Sequence, residues 1–313
     1  MHGKSGHHES GRLACGLSPV PRVRFWSPSA ELAPYVSSYQ LYVVDDDPQG
    51  HRGAFEPAWA SLRISLETVD WQLTRGEGEA LTPPRNALFG PTSKVIWSVS
   101  AQGVLISAGL RPRGWLRLFR DPAKDWADQI GQLPDLGKVA GDTVTDVFAG
   151  MQDDEDIPQR FEALLSEAMR KPTAYDDAAG KLEAALVDAA NRTVADLANA
   201  TGLTIRTVER VAARCFGFAP KLLLRRARFL RSLHAIRAAS PGNRAKVIDP
   251  DYHDYSHFVR DAHDFLGMSP QAFLQHEMPL LAAALRERKR VVGAPAMALD
   301  SVPGAKDGGG EAA

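Results

Sequence analysis

The chain has 313 residues, enough for two domains that each bury a core. Its 44% apolar and 24% charged residues are ordinary for a globular protein, and no apolar run approaches the roughly 20 residues that cross a bilayer, so a membrane partner is not expected. The net charge of −1 hides an asymmetry: residues 191–290 carry 17 Lys/Arg against 9 Asp/Glu, while the rest carries 20 against 29. A basic segment of this kind has a polyanion as its natural partner, with a solvated surface as the plain alternative.

Residues 1–20 are polar and lack an apolar period, which predicts a disordered tail without a secretory leader. His2, His7, His8 and Cys15 lie there at no enforced ligand spacing, so no metal site is expected. Cys15 and Cys215 stand in unlike settings and predict no disulfide, and hence a reducing, cytoplasmic location.

Residues 21–150 open with short apolar or alternating runs at 39–44, 62–66, 71–74, 95–99 and 104–110, separated by turn signals such as Asp45–Pro48, Gly76–Gly78, Pro83–Pro84 and Gly90–Pro91. That density predicts a small barrel or sandwich, with helices taking over near Trp115. The fold class expected for the whole chain is α+β: a small N-terminal β-barrel with flanking helices, then an all-α C-terminal domain. Tyr42, Trp59, Trp71 and Trp97 are candidate lining residues of a ligand pocket in the barrel, against the alternative of ordinary core. The acidic run Asp153–Asp156 and Pro158 introduce a helical linker over 151–190, in which Leu182, Leu186 and Val187 share helical spacing. Residues 281–313 read as a C-terminal tail.

The richest signal is an internal repeat at an offset of 50. Residues 208–224 align with 258–274, pairing Arg210 with Arg260, Ala212 with Ala262, Gly217 with Gly267, Pro220 with Pro270 and Leu224 with Leu274. Each copy spells a helix, a Gly stop and a new helix opened by Pro. Upstream of the first copy, residues 194–213 fit a helix-turn-helix. Leu197 and Ala198 close one helix on the next, Gly202 takes the tight turn, Leu203, Val208 and Val211 complete the core, and Thr193 caps the start. The second helix, expected over 205–215, presents Arg206, Thr207, Glu209 and Arg210 for the major groove. A helical hairpin without nucleic acid is the alternative. Residues 221–237 form an Arg-rich helix whose Arg225, Arg228 and Arg231 are expected to attract phosphates. The second unit shows Tyr255, Ser256, Val259 and Arg260, with His257 near the helix start as a phosphate donor or a cap. The helix after Pro270 offers free N–H groups to a phosphate, or is simply capped.

These motifs, Leu197-Ala-x-x-x-Gly-Leu203, Gly217-Phe-Ala-Pro220 and the stretch from Tyr252 to Asp261 followed by Gly267-Met-Ser-Pro270, resemble the AraC/XylS family of transcription regulators over residues 191–280. The resemblance implies two helix-turn-helix units joined by a long helix, with base-reading positions falling on Arg206, Glu209 and Arg210 and on Tyr255, Ser256, Val259 and Arg260. Residues 105–115 resemble the last strand and following helix of the cupin-like sensor domains that precede this module. The implied partners are double-stranded DNA, a small-molecule effector and RNA polymerase, with monomer and homodimer both open. No cofactor and no catalytic residue is implied, and no nucleophile elbow, P-loop, Rossmann or zinc motif occurs. The chain departs from the family at Pro250, which ends any preceding helix by Asp249, and at Asp251, which stands for the turn glycine. Those departures motivate the alternative of a protein-interaction regulator with a degenerate helix-turn-helix pair.

Overall fold

The computed structural model describes residues 22–44, 50–67, 71–76, 78–100 and 102–294. The expected N-terminal tail, the Asp45–Pro48 turn and residues 295–313 lie outside the described residues. The strands are β1 (Arg22–Trp26), β2 (Val36–Val44), β3 (His51–Phe55), β4 (Ser61–Ser65), β5 (Trp71–Thr74), β6 (Asn86–Phe89), β7 (Ile96–Ser100), β8 (Gly103–Leu110) and β9 (Ile130–Gln132). They make two antiparallel sheets, ordered β1-β2-β8-β4-β6-β9 and β3-β7-β5. The sheets face each other without joining in one hydrogen-bonded ring, so the N-terminal half is an open two-sheet structure rather than a closed barrel.

Side chains alternate along each strand, and the two faces of the large sheet have different chemistry. Tyr39 and Leu41 of β2, Leu62 and Ile64 of β4 and Ile106 of β8 point to an apolar core outside the sheet. That core is closed by the helix α2 (Asp156–Ala168), where Phe161 stacks on Tyr39 with ring centroids 5.4 Å apart. The first part of the expected linker is therefore part of the N-terminal core, because Ile157, Phe161, Leu164 and Leu165 recur at helical spacing and are buried there. The opposite face, toward the small sheet, carries Ser38, Gln40, Ser61 and Ser107, all buried.

The remaining helices are α1 (Pro112–Leu118), α3 (Tyr175–Val187), α4 (Val194–Thr201), α5 (Ile205–Val211), α6 (Pro220–Ala238), α7 (Tyr255–Leu266), α8 (Pro270–Gln275) and α9 (Pro279–Val292). A second core gathers residues of α3 to α8 around Phe229, whose ring lies 5.6 Å from Phe258 and 5.0 Å from Phe265. Of the expected tail over 281–313, the part up to Val292 belongs to the helix α9. Leu280, Leu281, Ala284 and Leu285 form one face of that helix, and packing against β1 and β3 supplies the burial that makes it stable.

Sheets and helices share an extensive boundary. Trp59 meets Phe216 edge-on at 5.3 Å, and Trp97 meets Phe273 at 5.6 Å. Val95 N–H donates to the Phe265 carbonyl at 2.8 Å. A buried ion pair, Arg111 to Glu183 at 2.7 Å, ties the end of β8 to α3.

Candidate nucleic-acid interface

Local rules account for the first unit. Thr193 accepts from the Asp196 N–H at 3.1 Å, and the Asp196 carboxylate accepts from the Thr193 N–H at 2.8 Å, a reciprocal capping box. Backbone N–H groups of Arg192 and Thr193 hold that carboxyl below the usual carboxylate range. Gly202 ends α4 with φ +68°, the left-handed region where a side chain is strained. Leu197, Val208 and Val211 are fully buried and Ala198 nearly so, with Leu203 packed at the margin. Thr204 caps α5. That helix is α-helical to Val211 and continues as a π-helical turn to Phe216, somewhat looser than the single helix expected over 205–215.

This packing leaves Arg206, Glu209 and Arg210 exposed on one side of α5. Thr207 is half-buried, its hydroxyl 2.9 Å from that of Thr204. Arg210 also reaches the face of Tyr175 on α3, 5.7 Å from the ring centroid.

In the second unit Asp254 caps α7 by accepting from the His257 N–H at 2.7 Å, and that bond holds its carboxyl below the ordinary value. Tyr255, Ser256 and Arg260 are exposed, Val259 is half-buried, and Phe258 and Phe265 point inward. His257 is half-buried with its ring edge-on to Tyr252 at 5.1 Å. Gly267 stops α7 with φ +76°, as Gly217 stops the first unit with φ +84°, and Pro220 and Pro270 open the next helices. The six-residue α8 is capped by the Ser269 hydroxyl. Before α7, where the resemblance implies a full helix, the chain forms only a 3₁₀ turn, Pro241–Lys246. Asp251 does not take the left-handed conformation, since Asp128 is the sole non-glycine with positive φ among the described residues.

The arginines of α6 have carboxylate partners within the chain. Arg225 donates to Asp261 at 2.7 Å and pairs with Asp264. Burial pulls its guanidinium down, but the two carboxylates outweigh that and hold it above the ordinary value. Arg228 lies 3.4 Å from Asp261 and 4.4 Å from the Tyr252 ring centroid. Arg231 pairs with Asp249 at 3.1 Å, and Arg237 with Glu56 at 2.7 Å. These cations are already matched within the chain, so their charge facing a phosphate is much reduced. Asp261 is the hub: it also accepts from the Tyr252 hydroxyl at 2.7 Å, and burial together with Asp261 raises that phenol.

Arg226 was hidden among its neighbours in sequence, yet it is 1% exposed. It donates to the Thr92 carbonyl at 2.8 Å and lies 4.2 Å over Trp59, fastening α6 to the sheet half. Burial lowers its guanidinium to about 9, so it is still largely charged at neutral pH. Glu56 accepts from Arg237 and lies 2.8 Å from His234 Nε2 on the same helix. The four candidate pocket aromatics separate. Tyr42 and Trp71 share a cluster with Phe25 and Leu105, whereas Trp59 and Trp97 face the helical half.

Among the described residues no helix is long and apolar enough to cross a membrane, and no group of three His, Cys, Asp or Glu is placed to hold a metal ion. No protein-family model matches the chain, and no curated protein matches it. Among solved structures it is similar to three of ToxT from Vibrio cholerae. One is an apo lysine-to-alanine variant, at 11% identity over 75% of this chain and 96% of that one with a TM-score of 0.40. The second is a 1.65 Å structure, at 10% identity over 75% and 97% with a TM-score of 0.41. The third is at 12% identity over 75% and 95% with a TM-score of 0.40. Likeness at this level assigns no family by itself.

Proposed function

We propose that the chain is a DNA-binding transcription regulator of the AraC/XylS kind, whose residues 191–280 read duplex DNA and whose N-terminal half senses a small ligand. One observation carries the reading. Two helices, each ended by a left-handed glycine and followed by a Pro-opened helix, sit on either side of the 19-residue α6 and leave Arg206, Glu209, Arg210 and Tyr255, Ser256, Arg260 exposed. At about 1.5 Å per residue α6 spans roughly 28 Å, of the order of one turn of the double helix.

Selection of bound sites from random duplexes at fixed salt tests the reading, with a two-part motif as the expected result. On the selected site Arg210→Ala weakens binding by about 1–3 kcal/mol, and by less on random DNA. Equal weakening on both makes Arg210 a phosphate contact and removes it from the base readers. Failure to enrich any motif at near-physiological salt sinks the reading. It then favours a protein-interaction regulator, a second reading supported by the 3₁₀ turn at Pro241–Lys246 and by the internally paired arginines of α6.

A further inference from the structure

Five large apolar side chains are exposed among the described residues: Leu81, Val99, Ile205, Val247 and Tyr255. Two of them occupy the same position in the repeat. Ile205 opens α5 and Tyr255 opens α7, at the offset of 50 that relates the two units. Each directly follows the cap of its helix, Thr204 or Asp254, and each stands three residues before a fully buried anchor, Val208 or Phe258. Ile205 is 48% exposed and Tyr255 is 42% exposed.

Neither the helix nor the core accounts for these residues. Ile is β-branched and forms helix less readily than Ala, Glu or Lys, so local propensity does not favour it at 205. Leu197, Val208 and Val211 complete the core of the first unit without it. Tyr255 lies on the outer side of Phe258, with ring centroids 5.9 Å apart, and stays open to solvent.

Side chains one turn apart share a helix face, so Ile205 stands with Glu209 and Tyr255 with Val259. Arg206 and Arg210 outnumber Glu209 around the first face, and Arg260 adjoins the second, all of them exposed. A cationic surround suits a polyanion rather than an apolar protein surface. The opening residues of a recognition helix are the ones that meet base edges. In the major groove those edges carry hydrogen-bonding groups and one apolar group, the 5-methyl of thymine.

We infer that Ile205 and Tyr255 are paired specificity residues, each covering the 5-methyl group of a thymine, one in each half of the bound site. The inference rests on the proposed reading of DNA and deepens it. It adds Ile205 to the base-contacting residues and gives both units the same apolar demand beside the hydrogen-bonding Arg210 and Arg260. Over any other base the two side chains would cover polar edges that they cannot pair, so a missing methyl and an unmatched polar edge both count against the wrong base.

The test uses the full chain and the duplex selected from random DNA, titrated at fixed salt. Thymines are replaced one at a time by deoxyuridine, which removes the methyl group and leaves base pairing intact. Two positions, one in each part of the motif, should each weaken binding about three- to fivefold. Ile205→Ala should abolish the uracil penalty at the first and leave it at the second, and Tyr255→Ala the reverse. Tyr255→Phe keeps the ring and should keep the penalty. Both side chains are exposed, so the melting temperature should stay close to that of the native chain. A motif indifferent to uracil, or penalties that survive unchanged in both alanine variants, overturns the methyl assignment and leaves the DNA reading standing. Alanine variants that bind the thymine site as tightly as the native chain assign the two side chains to another partner and overturn it as well. A selection that enriches no motif overturns the DNA reading itself, and this inference with it.

Discussion

Single side chains at the boundary between sheets and helices hold charges that the sequence displays as surface. Glu56 is the clearest. Burial alone raises its carboxyl, but His234 and Arg237 outweigh burial and bring it down to about 2, from an ordinary 4.5. A carboxyl depressed in the folded chain binds its proton more readily when unfolded. Its contribution to stability is therefore complete above about pH 4.5 and is lost as pH falls from there through about 2. Melting temperature should fall over that window in the native chain, and the part of the fall due to Glu56 should vanish in Glu56→Gln. An unchanged slope in that variant would mean that other carboxyls carry the acid sensitivity. Such pairings are not readable from sequence, because the partners of Arg225, Arg228, Arg231 and Arg237 stand 18 to 181 positions away. The Arg63 position is hidden for a related reason. Between Leu62 and Ile64 it takes the polar half of an alternating strand, which reads as solvent-facing until a second sheet covers it.

Elements whose causes are local were legible. The αL turn at Gly202 and the cap at Thr193 depend on residues within one helical turn, and the small Ala198 depends on a helix that starts only seven residues later. The repeat then located the second unit. Three glycines, Gly202 and the repeat's Gly217 and Gly267, each read as a helix stop in sequence, and the structure separates them. At Gly202 and Gly267 an added Cβ would meet nothing within 4 Å, so Ala there costs only backbone strain, about 1 kcal/mol. At Gly217 the same Cβ would sit 3.0 Å from Pro91 Cγ and 3.1 Å from the Ala123 carbonyl, because the sheet half presses on that turn. Gly217→Ala should therefore lower stability clearly more than Gly202→Ala or Gly267→Ala in denaturant melts. Equal losses at all three would show that the turn can move away from Pro91. By contrast α9 was not legible: its apolar face has meaning only once β1 and β3 lie against it.

At the scale of the molecule the second core does not stop at the helical half. Ala54, Trp59, Val95 and Leu116 belong to it, together with residues of α3 to α8. Shared packing couples the unfolding of the two halves, so calorimetry of the full chain should give one cooperative transition. Trp59→Ala removes the ring that Arg226 and Phe216 rest on. It should cost about 3–5 kcal/mol and, if the halves are otherwise stable, resolve the transition into two. Two transitions already present in the native chain would mean that the boundary contributes little.

The anchoring of α6 has a consequence for geometry on DNA. Arg226 and Arg237 fix that helix to the sheet half within its first half and at its end, and α5 and α7, the helices proposed to read DNA, precede and follow it in the chain. The angular phase between them is then set by the protein rather than adjusted to the duplex. Each base pair inserted between two half-sites turns one relative to the other by about 34–36°, given 10–10.5 base pairs per turn. Under the proposed function, with α6 held at two points, such an insertion would be met by twisting the DNA or by releasing one unit from its groove.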